Sequence, residues 1–156
     1  MKIIVIGASL SGKTTLVRYL QEHNINCSEI DEELTTLNGG SYPTDVDKKH
    51  HELVPKIVAD IIARPDVLFF TNTDYFTLDD LRLARASGFK IYQLDISLSE
   101  LIKRNKRRIE GGKYEDMSPW LEDMVDYQNE LKKTGLIDKS IDATQPVEKI
   151  AKEIKQ

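Results

Sequence analysis

Gly7-Ala8-Ser9-Leu10-Ser11-Gly12-Lys13-Thr14 sets two glycines around four residues and follows the second with lysine and threonine. Each residue type in that pattern has a chemical use. The glycines let the backbone curl tightly, so its N–H groups can surround an anion. Lys13 reaches the β- and γ-phosphates of a nucleotide as a point charge, and Thr14 offers a hydroxyl to Mg²⁺. A helix opening at Lys13 turns its positive end, with Thr15 in its first turn, toward the same phosphates. Gly7, Ala8, Ser9, Leu10, Ser11, Gly12, Lys13, Thr14 and Thr15 therefore form the candidate site for ATP or GTP with Mg²⁺.

Such a loop works only between a buried strand and a helix, and its flanks have that character. Residues 2–6 are a continuous branched run stopped by glycine, and 13–23 carries Leu16, Val17 and Leu20 at helical spacing. Further strands are expected at 26–30, 67–71, 90–95 and 139–142. Residues 32–45 have little pattern and suggest a loop or short helix. A helix is expected over 47–63, kinked or begun near Pro55. Thr77 with Asp80, and Ser97 with Glu100, mark helix starts, and Gly88 closes the first of these helices. A basic cluster, Arg104 to Arg108, then runs into Gly111 and Gly112. Ser118 and Pro119 open another helix closed by Gly135, and Pro146 starts the last. Strands alternating with helices predict an α/β fold around a parallel sheet.

The chain has 156 residues, enough for one domain with its own core. Its 22 basic and 26 acidic residues give a net charge of -4, which argues against general nucleic-acid binding. The single cysteine, Cys27, suits a reducing, cytoplasmic setting. No apolar run is long enough to span a membrane. No glycine has an aspartate three residues before it, which removes the switch motif of signalling GTPases. Asp74 follows the third strand at the sheet edge where open α/β folds bind ligands, and either holds Mg²⁺ through water or begins a turn. His50 and His51 are adjacent, point apart on a helix and read as surface residues.

Beyond the loop, the chain resembles the small phosphate-loop kinases of the nucleoside/nucleotide and shikimate kinase group over nearly its whole length. Glu29-Ile30-Asp31 looks like the point where such kinases place an acid near the acceptor hydroxyl and Mg²⁺. The resemblance implies that Asp31 is a base or Mg²⁺-associated acid. It implies a lid over about 104–117, with Arg104 against the adenine and Arg108, or equally Arg107, on the phosphates. Thr144, Gln145 and Pro146 resemble the segment beside the adenine ring. The implied architecture has three layers, with a five-stranded parallel sheet in order 2-3-1-4-5, helices on both faces and a small lid. The implied activity is transfer of phosphate from ATP to a small-molecule acceptor by a monomer or homodimer. Residues 120–133 contain no arginine, and the glycine triplet that shikimate kinases carry after the third strand is missing. Those departures point away from shikimate and admit a nucleoside monophosphate only if Arg82 or Arg85 faces the cleft; the expected acceptor is nucleoside- or nucleotide-like. They also motivate an alternative, a nucleotide-binding module or weak ATPase that acts as a switch for a protein partner.

Overall fold

A computed structural model describes residues 1–112 and 114–156; Lys113, within the expected lid, lies outside the described residues. Five parallel strands lie in the order β2-β3-β1-β4-β5. They are β1 (Lys2–Ile6), β2 (Ser28–Glu29), β3 (Val67–Thr71), β4 (Lys90–Asp95) and β5 (Lys139–Asp142). Central β1 pairs with β3 from Lys2↔Val67 to Ile6↔Thr71 and with β4 from Ile3↔Lys90 to Ile6↔Gln93. A strand with neighbours on both edges and helices on both faces has no solvated side. That is why Ile3 to Ile6 is an unbroken apolar run.

Alternation along the strands sorts the core into two layers. Ile3, Val5, Leu68, Phe70 and Leu94 face α1 (Lys13–Glu22) and α8 (Val147–Lys155). Leu101 of α6 (Leu98–Glu110) joins the same layer. Ile4, Ile6, Phe69 and Ile91 face the opposite way, onto α2 (Ile30–Leu37), α4 (Val54–Ala63) and α5 (Leu78–Ala86). The result is the expected three-layer fold.

Three local features depart from the sequence pattern. The second strand is only two residues long, because Ile30 already opens α2 and turns its side chain into the core. The helix expected over 47–63 is three pieces in line: α3 (Val46–Lys48), a π-helical turn (Lys49–Leu53) and α4. Pro55 cannot donate back into the preceding turn, and the ladder widens just before it. Pro119 lies in a short 3₁₀ turn (Ser118–Trp120), and α7 (Leu121–Lys133) begins after it.

Caps and buried polar bridges hold the elements that matter for the site. Thr77 and Asp80 cap α5 reciprocally, at 3.1 and 2.9 Å. At α6 only half of that arrangement forms: the Ser97 hydroxyl accepts from the Glu100 amide, and the Glu100 carboxylate turns to Arg104 instead. Gln128, buried on α7, donates to Asp95 Oδ1 and the Ile96 carbonyl, and its own carbonyl accepts from the Ile96 amide at 3.1 Å. Lys132 adds a 2.7 Å ion pair to the same Asp95. These bonds tie α7 to the C-terminal end of β4.

Candidate functional site

The glycine-rich loop leaves β1 at Gly7, whose amide donates to the Thr71 carbonyl at 3.1 Å. A Cβ on Gly7 would stand 2.6 Å from Ser11 Oγ, so only glycine fits there. Gly12 has φ 93, which glycine adopts freely. Leu10 sits in the same left-handed region at φ 73, a strained position for a branched side chain. Helix α1 begins with no side chain capping its first turn, which leaves its amides for an anion. The Ser11 hydroxyl is buried and has no hydrogen-bond partner.

Lys13 is 7% exposed and folds back on the loop, donating to the carbonyls of Gly7 and Ala8 at 2.7 and 2.8 Å. Burial lowers its pKa to about 8, against the opposing pull of Asp31 and Glu29. Its ammonium is therefore held ready in the loop, short of the charge that would complete it.

A cavity of about 560 Å³ opens over this loop, bordered by Ser9, Leu10, Gly12, Lys13, Thr14 and Thr15. One wall is acidic. The Glu29 carboxylate lies 3.3 and 3.4 Å from the Thr14 hydroxyl, and Asp31 borders the cavity from the first turn of α2. Burial raises the Glu29 pKa, with Asp31 and Glu32 adding to the shift while Lys13 and Thr14 oppose it. A hydroxyl with adjacent carboxylates is the hard oxygen set that suits Mg²⁺, which keeps several waters and takes only one or two carboxylates.

The other wall is basic. Arg104 donates to the carbonyls of Leu10 and Ala143, both at 2.9 Å, and to Glu100 at 3.2 Å. One guanidinium thus clasps the phosphate loop to the turn after β5. Arg108 stacks 3.9 Å from the Tyr114 ring centre, and Arg107 borders the same cavity. Beside Arg104 lies a slot of about 240 Å³ bordered by the apolar side chains of Leu94, Ala143, Val147 and Ile150 and by Gln145. Thr144 turns away to Asp142, and Pro146 caps α8; neither borders the slot.

The structure thus gathers Lys13, Thr14, Asp31, Arg104 and Arg108 around one cavity. It does not bring Asp74 there. Asp74, at φ 64, borders a separate cavity of about 830 Å³ with His50, Tyr75, Trp120 and Tyr127. Burial raises its carboxyl pKa, and His50 and Lys49 work against that rise. Among the described residues, no group of three or more His, Cys, Asp or Glu side chains is gathered for a metal ion.

Sequence reasoning passed over Glu29, Arg18, Asn72 and Tyr114, which all border the phosphate cavity. His50 is exposed, as expected of a surface residue, and its ring also tilts 5.5 Å from that of Tyr75 at the rim of the second cavity. Glu29 was the detectable one: an acid closing a buried strand must face something that repays its burial.

No family model and no curated protein sequence matches the chain. Solved structures do match in fold. Shikimate kinase from Aquifex aeolicus is 19% identical with a TM-score of 0.73, covering 99% of this chain and 94% of its own. Shikimate kinase from Acinetobacter baumannii, solved in complex with shikimate, is 18% identical with a TM-score of 0.74, covering 99% and 90%. A gluconokinase from Sinorhizobium meliloti is 20% identical with a TM-score of 0.57, covering 97% and 87%. The chain shares the three-layer fold of these enzymes over almost its full length.

Proposed function

We propose that the protein is an ATP:Mg²⁺-dependent phosphotransferase acting on a small-molecule acceptor of the nucleoside or nucleotide type. The observation that carries this reading is the opposition of Lys13, Arg104 and Arg108 to Glu29 and Asp31 across a single cavity over the phosphate loop. Phosphoryl transfer asks mainly for positioning and charge neutralisation, and those residues supply both. The fold shared with kinases of small hydroxylated acids supports it.

In this reading the adenine enters the slot beside Arg104, and the loop amides and Lys13 hold the phosphates. Thr14, with Glu29 and Asp31 behind it, would hold Mg²⁺, whose contribution when bound is neutralisation of phosphate charge. The acceptor hydroxyl oxygen forms a bond to the γ-phosphorus, while the bond from that phosphorus to the β,γ-bridging oxygen breaks and ADP leaves. The hydroxyl proton passes to a carboxylate, with Asp31 the accessible one. Arg108 stabilises charge on the transferred group, Arg104 holds the phosphate loop at the adenine edge, and Tyr114 to Ser118 exclude water.

The test is transfer from γ-labelled ATP with Mg²⁺ into a panel of nucleosides, monophosphates, sugars and hydroxy acids. A labelled product that disappears in Lys13→Ala is expected. Label found only as free phosphate would favour the switch module instead, and undiminished transfer by Lys13→Ala would overturn the site.

A further inference from the structure

The cavity that holds Asp74 and the phosphate cavity are bordered by chain neighbours at two places. Asn72 borders one and Thr73 the other, and Tyr114 and Glu115 divide in the same way. Burial raises the Tyr42 phenol's pKa, and Tyr75 and Asp31 beside it add to the rise. Tyr75 borders the second cavity and Asp31 the first, so Tyr42 stands by a residue of each.

Its walls say what that molecule is. Tyr75, Trp120 and Tyr127 give aromatic faces, and Met117 and Met124 give soft apolar ones, which suits a flat ring. Asp74, Glu115 and Asp123 set three carboxylates around it. Among the described residues that border it the basic ones are His50 and one lysine, Lys49, which is already placed over the Tyr42 and Tyr75 rings at 5.6 and 5.7 Å and donates to the Tyr42 hydroxyl at 3.5 Å; none of them is an arginine. A phosphorylated or carboxylated acceptor would meet repulsion here without a cationic clamp.

We infer that this cavity takes the acceptor, that it selects an unphosphorylated nucleoside whose base carries an exocyclic amine, and that Asp74 accepts from that amine. The inference rests on the phosphotransferase reading for the fate of the hydroxyl, and on the cavity alone for recognition. The base lies among the aromatic side chains with its amine at Asp74, and the sugar hydroxyl extends toward Asp31.

Trp120 is the only tryptophan in the chain and borders the cavity, so its fluorescence reports occupancy without ATP. The full chain is titrated with cytidine, uridine, guanosine, inosine, CMP, GMP and shikimate, by fluorescence on the red edge of the indole band and by calorimetry. Cytidine is expected to bind roughly 10-fold more tightly than uridine, and guanosine than inosine, for the loss of one hydrogen bond to a charged group. Asp74→Asn should erase that difference, and the monophosphates should bind about 10-fold more weakly than their nucleosides through like-charge repulsion. Asp123→Arg, at an exposed position, should bring CMP up to cytidine. Equal or tighter binding of the monophosphates or shikimate, no preference for the amine, or no binding of any panel member would overturn the inference. Nucleoside binding without transfer from ATP would count against the phosphotransferase reading alone.

Discussion

The Glu29 carboxylate stands 3.3 Å from the Thr14 hydroxyl, joining the end of a two-residue strand to the first turn of the helix after the phosphate loop. Its pKa is raised, so it binds its proton more tightly folded than unfolded. Stability then falls as pH rises from about 4.5 to the raised folded value, and above that value the folded protein carries the cost in full. Glu29→Gln is expected to raise the melting temperature at pH 7 and to flatten this acid-side dependence. The same variant should need about 10- to 100-fold more Mg²⁺ for half-maximal turnover, the usual cost of losing a metal's supporting carboxylate. Thermal melts across pH and a Mg²⁺ titration of turnover check both halves.

Lys13 makes the opposite demand. With its pKa lowered to about 8 by burial, it is part-neutral in the ligand-free protein at mildly alkaline pH. Between about 8 and 10.5 the unfolded chain binds more protons, so ligand-free stability rises with pH across that window. Phosphates favour the charged amine, so ATP binding at pH 8 should take up roughly half a proton. Calorimetry in buffers of different ionisation enthalpy measures that uptake, and Lys13→Met should abolish it.

Arg104 reaches two carbonyls that a lysine, with a single nitrogen, cannot span in the same fork. Arg104→Lys is expected to raise the KM for ATP by about 10-fold, the value of one charge-assisted hydrogen bond. Tight nucleotide binding in this variant would remove Arg104 from the adenine edge.

Asn105, buried on α6, donates to Asp116 at 2.9 Å and to the Ser118 hydroxyl at 3.1 Å and accepts from the Met117 amide at 2.9 Å. Asn105→Ala leaves the Met117 amide without its partner, while Asp116 and Ser118 keep their bonds to each other, and should cost about 1–3 kcal/mol of stability. A loosened 116–118 segment should also admit water, so ATP hydrolysis without acceptor is expected to rise. Denaturant melts and acceptor-free phosphate release test the two effects.

Much of this was legible in the chain itself. The loop from Gly7 to Thr14, the alternation of strands and helices and the basic cluster at Arg104 follow from patterns with short-range physical causes, whereas the strand order comes from the resemblance to the small phosphate-loop kinases. Asp74 shows where such reading stops. Its position after β3 was visible, but its direction depends on a left-handed φ and on the packing of Tyr75, which spacing does not encode. Glu29 was passed over for Asp31 because β2 was expected to run to 30, whereas Ile30 is drawn into the core as the first residue of α2. The π-helical turn was hidden for a similar reason: Pro55 forecasts a disturbance, but which way the ladder slips is decided by what α4 packs against.

The bonds from Gln128 and Lys132 to the end of β4 give the second cavity one fixed jamb. The wall that carries Met124 and Tyr127 is anchored to the sheet, whereas the opposite leaf, with Lys49 and His50, is built on a π-helical turn, where the helical ladder is already out of step.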